Sequence, residues 1–145
     1  MKNDLVLVEL RRIADEHAGK LLPRDIVEAA RPEGAPLHSQ FEWDDTEAAE
    51  RWRIHQARML LNVVVEYIDT GDGAYSVQAF VSLRPDRITD SGYTRTVGVL
   101  SNVRQRQQLL EDALEELAAF REKYRALREL ASIFEAMKKV RKKIA

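Results

Sequence analysis

Residues 102–145 contain neither glycine nor proline. Over that length nothing favours a turn through backbone freedom and nothing breaks a helix by lacking an N–H, so amphipathic helix is the structure most open to this stretch. Leu110, Ala113, Leu117, Phe120, Tyr124, Leu127, Ala131 and Phe134 recur at steps of three and four, a heptad-like stripe. After Leu127 a second stripe takes over at Leu130, Ile133, Met137, Val140 and Ile144. The phase slips by about one residue near Arg128, which predicts two amphipathic helices joined by a kink or tight turn. Leu110, Leu117, Phe120, Tyr124, Leu127 and Phe134 form too long an apolar stripe for a small neighbouring domain to cover. With no glycine or proline at the join, a straight rod paired with a second chain is favoured over a fold-back. A homodimer is therefore expected, with those six side chains at its interface.

The first hundred residues have a different texture. Asp4 is placed to cap a first helix carrying Leu5, Val8, Ile13 and Ala14, which Ala18-Gly19 stops. Pro23 opens a short second helix and Pro32 closes it; the loop RPEGAPLHSQFEW follows. Asp44 and Glu47 have capping-box spacing for a third helix. Its buried side is expected at Ala48, Trp52, Ala57, Met59, Leu60 and Val63, with Arg51, Arg53 and Arg58 exposed. Trp43 would staple onto Ala48, and Phe41 would help to pin the loop. Strands follow at Val63–Ile68 and Tyr75–Val81, turned by Thr70-Gly71-Asp72-Gly73, and a weaker one at Tyr93–Thr96. Helices followed by a hairpin predict an α+β fold. The expected organisation is a winged-helix-like domain over residues 1–100, then a helical dimerisation segment over 101–145.

Several chemistries find no support. There is no cysteine, so no disulfide framework, thiolate metal site or thiol nucleophile, which fits a reducing cytosol. His17, His38 and His55 have no helical metal spacing. Asp44, Asp45 and Glu47 are neighbours on a capping segment rather than a convergent pair, and Glu66 lacks the lysine of a nuclease strand. The serines lack elbow glycines, and no phosphate loop occurs. No enzyme activity, cofactor or metal is expected. No apolar run reaches the roughly 20 residues of a membrane span. The polar start MKNDLVLVEL does not read as a signal peptide, so a soluble, intracellular protein is expected.

Charge is unevenly spread. The net charge is −1, yet residues 1–100 carry 12 bases against 17 acids and residues 101–145 carry 11 against 7. Phe41–Glu50 holds five acids and no base; Lys138, Lys139, Arg141, Lys142 and Lys143 stand together with no acid among them. Such separation steers polyanions to one end and basic partners to the other. The candidate DNA contacts are Arg51, Arg53 and Arg58 on the third helix, Arg84, Arg87 and Arg95 beside the hairpin, and the five bases near the C-terminus. The candidate protein-binding surface is Phe41, Trp43, Asp44, Asp45 and Glu47.

The run PLHSQFEWDD followed by AAERWRIHQAR resembles small phage and prophage proteins with an SPLH..FEWDD..AA..YR..QAR pattern. AFVSL, GYTRTVGVLSN and LLEDALEELAAFREKYRALRELASIFEA are similar to the downstream part of the same proteins. Ala35 stands where the pattern has serine and Trp52 where it has tyrosine. The resemblance covers the chain from about Leu21 onward. It implies a phage or prophage origin, a bacterial host cytoplasm and an accessory role, and carries no catalytic residue. The expected function is that of a non-enzymatic accessory or regulatory protein binding DNA or a DNA-processing complex. The alternative is a protein-interaction module or host-protein inhibitor that presents the acidic Phe41–Glu50 surface.

Overall fold

Apolar spacing and helix ends explain most of the N-terminal architecture in the computed structural model, which describes residues 2–43, 46–69 and 71–144. The chain divides after Asn102 into two compact units. In the first, α1 (Lys2–Glu16) turns Leu10, Ile13 and Ala14 inward. It begins at Lys2, so Asp4 sits inside its first turn, favoured there by the helix dipole, rather than capping it. Ala18 and Gly19 take positive φ, and the Gly19 N–H donates to the Ala14 carbonyl at 2.8 Å, which ends the helix. After the short strand β1 (Lys20–Leu21), α2 (Pro23–Ala30) starts on its proline and buries Pro23, Ile26, Val27 and Ala30.

The third helix, α3 (Glu47–Val63), departs from expectation at its start and in its buried face. Its N-cap is Thr46, whose hydroxyl accepts from the Ala49 N–H at 3.1 Å; Asp44 and Asp45 lie outside the described residues. Glu47 is the first helical residue, whereas a capping box with Thr46 would need an acid at the third, which is Ala49. The buried face is Ala49, Arg53, Ala57 and Leu61, while Ala48, Trp52, Met59 and Val63 are exposed. An apolar count picks the wrong stripe because an arginine occupies a core-facing position.

Val64 ends α3 in extended conformation, and the chain enters β2 (Val65–Asp69). β2 pairs antiparallel with β3 (Ala74–Gln78), Glu66 opposite Val77 and Ile68 opposite Tyr75. The Gly71 N–H donates to the Asp69 carboxylate at 2.9 Å in the turn. The alternating run Tyr75–Val81 is not one strand. At the buried Ala79, the N–H reaches the Val64 carbonyl and the carbonyl accepts from the Thr96 N–H, both at 2.9 Å. The next residues, β4 (Phe80–Val81), therefore join another sheet, pairing with β5 (Tyr93–Arg95), which also pairs with β1.

Gly92 leads into β5 at φ +87°, and a Cβ there would stand 2.5 Å from the Leu21 carbonyl oxygen, so strand β1 can approach only a glycine. Short helices α4 (Arg84–Thr89) and α5 (Thr96–Ser101) flank β5 in sequence. Arg84 and Arg87 thus lie on a helix of their own rather than on the hairpin flank. One core, built on Leu10, Ile13, Leu21, Ile26, Val27, Leu37, Leu61, Val64 and Phe80, joins α1, α2, α3 and the β1–β5–β4 sheet.

The second unit is helical. α6 (Val103–Tyr124) stops where Leu127 turns extended; after a 3-10 turn at Arg128–Leu130 comes α7 (Ala131–Ile144). The break falls where the two stripes change phase. The chain folds back there instead of continuing as a rod. Early α7 residues Ala131, Phe134 and Glu135 share a groove with Arg121, Glu122 and Arg125, while Met137, Lys138 and Arg141 share another with Leu114, Glu115 and Ala118. That order makes the hairpin antiparallel.

Candidate interaction surfaces

The aromatic loop that precedes α3 is an internal latch. The Trp43 indole N–H donates to the His38 carbonyl at 2.8 Å, and its ring stacks on the His38 imidazole at 4.8 Å and 8°. The Arg53 guanidinium lies over the same indole at 5.2 Å and that of Arg31 at 5.6 Å. Arg53 also donates to the Glu42 carbonyl at 2.8 Å and to the Glu50 carboxylate at 3.0 Å. His38 in turn contacts the Ala30 carbonyl through Nδ1 at 3.0 Å. Phe41 is buried and Trp43 half-buried, so both face inward, and Trp43 is held by His38 and Arg53 rather than by Ala48. Arg53, expected at the surface, is 3% exposed.

A second cluster centres on Glu66, buried on β2. Arg11 of α1 and Arg95 of β5 both donate to its carboxylate, the Arg95 Nε at 3.1 Å. Hydrogen bonding from Arg95, reinforced by the charges of Arg95 and Arg11, outweighs the cost of burial and holds the Glu66 carboxyl below its ordinary range. The same bond raises Arg95. Three elements distant in sequence are tied at one carboxylate, which takes Arg95 out of service as a free cation. Nothing in the local pattern around Glu66 announces this; the tie depends on which strand face meets α1.

The remaining bases differ in how they are engaged. Arg51 is exposed and 3.7 Å from Glu47. Arg58 is exposed and has no ion pair among the described residues. Arg84 and Arg87 are exposed but engaged, Arg87 donating to the Ser82 carbonyl. On α7, Lys138 pairs with Glu135 at 3.1 Å. Lys139, Arg141, Lys142 and Lys143 are exposed and make no ion pair among the described residues.

Of the expected dimerisation side chains, Phe134 is buried and Leu110 and Tyr124 are half-buried, while Leu117, Phe120 and Leu127 remain exposed. The apolar exposure of Trp52, Met59 and Val63 on α3 went unseen in the sequence, because those residues resembled core. Among the described residues, no three His, Asp or Glu side chains converge to hold a metal ion, and no helix is long and apolar enough to cross a membrane. Comparison with protein-family models, with curated proteins and with solved structures found no match.

Proposed function

We propose that this is a non-enzymatic accessory protein that binds DNA through the basic end of α7. The observation that carries the reading is the set Lys139, Arg141, Lys142 and Lys143, exposed on two adjacent turns with no carboxylate partner among the described residues. Phosphate binding draws on cations of that kind, whose counterions are released on contact. Of the arginines expected to contribute in the N-terminal unit, Arg53 is committed to Glu50 and Trp43 and Arg95 to Glu66. The accessory role agrees with what the resemblance to phage and prophage proteins implies.

The winged-helix-like reading of the N-terminal unit belongs to this proposal as its frame. Three helices followed by the β2–β3 hairpin support it; the pairing of β1 with β5 instead of with that hairpin departs from it. The alternative, an acidic surface offered to a basic host protein, is less well supported. Phe41 and Trp43 turn inward, and Arg31 and Arg53 both reach the Glu50 carboxylate.

A mobility shift on duplex and single-stranded DNA tests the proposal. Contact with about four phosphates should weaken binding about a hundredfold between 50 and 200 mM salt. Replacing Arg141, Lys142 and Lys143 together by glutamine should abolish the shift. No shift at the lower salt, or a full shift by that triple variant, would refute the reading.

A further inference from the structure

The larger groove between α6 and α7 has a volume of about 410 Å3, within the range of ligand sites. Its floor is apolar: the buried Leu114, with Ala118 and Met137 both half-buried. Ala118 offers only a methyl there, and a longer side chain would fill the space. The rim is basic, with Arg121 from α6 and Lys138 and Arg141 from α7 against one acid, Glu115. Lys138 and Arg121 have carboxylates nearby, Glu135 at 3.1 Å and Glu122 at 3.7 Å. Neither of those acids lines this groove, and both pairs are open to the water that screens them. Arg141 makes no ion pair among the described residues. A basic rim over an apolar floor suits a ligand that is anionic along one edge and flat and apolar along the other. An unpaired polynucleotide strand has that construction, with phosphates on one side and free base faces on the other. A duplex does not, because its base faces are stacked inside and only phosphates and base edges meet a protein.

We infer that this groove binds single-stranded DNA, one base lying on Leu114, Ala118 and Met137 while Arg121, Lys138 and Arg141 neutralise the flanking phosphates. The Met137 thioether gives the base ring a polarisable contact, and the Arg121 and Arg141 guanidinium groups cover its other face. The inference rests on the DNA-binding reading above and sharpens it. Arg141 belongs to both, so the groove continues the basic end of α7 along the hairpin.

Fluorescence anisotropy on the full chain tests this, with a labelled oligothymidylate of about 15 nucleotides and a duplex of about the same length, from about 50 to 200 mM salt. The single strand should bind about tenfold tighter than the duplex, the share of one base contact. Ala118→Phe fills the groove and leaves every charge in place. It should bring the single strand down to the affinity of the duplex, with helical circular dichroism retained. Two rim variants do not depend on that packing change. Arg121→Gln should lower the single-strand salt slope by about 0.7 and leave the duplex slope as it was. Glu115→Gln should tighten the single strand about twofold. Equal or tighter binding of the duplex overturns the inference, as does a folded Ala118→Phe variant that keeps the preference, or rim variants that both bind like the wild type. A duplex bound as tightly as the single strand would leave the function proposed above standing, whereas no binding of either probe would remove both.

Discussion

Arg53 and Arg141 carry the same charge in opposite circumstances, and the contrast extends to the two units that contain them. In the N-terminal unit carboxylates claim the cations: Arg53 holds Glu50, Arg11 and Arg95 share Glu66, Arg12 binds Glu9, and Lys20 reaches Asp86 at 2.8 Å. In the hairpin unit the pairs Glu122–Arg125 and Glu135–Lys138 are local ones on exposed turns, and the last two turns of α7 have cations in excess. Net charge along the sequence is thus a poor guide to surface field. What a partner meets is the charge left over after the fold has used its share. The first unit uses charge to fix its own geometry, and the second presents it.

The sharpest way to break this comparison is Arg53→Ala. Removal leaves the Glu42 carbonyl without its donor, leaves Glu50 only the longer contact with Arg31, and strips one face of Trp43, a loss of about 3 kcal/mol. Urea unfolding should show it as a lower midpoint with an unchanged slope, while the folded variant keeps wild-type affinity for DNA. Were stability to stay within about 0.5 kcal/mol and DNA affinity to fall, Arg53 would be a surface cation and the contrast would fail.

Backbone substitutions should separate the units next. Gly92→Ala places a methyl against the Leu21 carbonyl at positive φ, and the first unit should be destabilised by about 2 kcal/mol. The opposite exchange, Ala119→Gly on the exposed side of α6, should cost the hairpin only about 1 kcal/mol through helix propensity. Thermal melts of the two variants followed by circular dichroism check the pair. A larger effect for Ala119→Gly would mean that the hairpin is the more tightly packed unit.

Local rules carried much of the fold. Pro23, Pro32, the Gly71–Gly73 turn and the phase slip at Arg128 all act within a few residues, so their effects could be read directly. Long-range packing was hidden. The switch of Phe80 into a second sheet depends on Ala79 bridging Val64 and Thr96, which no alternation pattern encodes. The face of α3 was misjudged for a related reason: an arginine becomes a core residue only when Trp43, Glu42 and Glu50 are brought to it. The basic end of α7 was legible because it is a local run, whereas the engagement of Arg95 by Glu66 was not.

The Glu66 cluster sharpens the comparison through pH. Its carboxyl ionises more readily folded than unfolded, so the stabilisation is fully present above the unfolded value of about 4.3. It is lost as pH falls through the depressed folded value. Wild-type stability should therefore drop from about pH 5 downward more steeply than that of Glu66→Gln. At pH 7 the variant should be less stable by about 1–2 kcal/mol, since both arginines lose a charged acceptor. Parallel curves for the two proteins between pH 3 and 7 would show that Glu66 contributes no linkage.

The smallest effects belong to Arg51 and Arg58, the exposed cations of α3. Arg51 stands 3.7 Å from Glu47 with both side chains more than 80% exposed, a pair that water screens almost completely. Arg58 has no ion pair among the described residues and lies three turns from the acidic start of the helix. Replacing both by glutamine should shift stability by less than about 0.5 kcal/mol. If α7 is the DNA-binding element, the same double variant should weaken the mobility shift less than about threefold, because the α7 cations are left in place. A weakening comparable to that of the Arg141, Lys142 and Lys143 triple would move the DNA-binding surface onto α3. The exposed Trp52 and Met59 beside these arginines would then supply its apolar part. Titrating both variants across salt makes the assignment a difference of slopes, since every phosphate that the protein no longer neutralises lowers the slope by about 0.9.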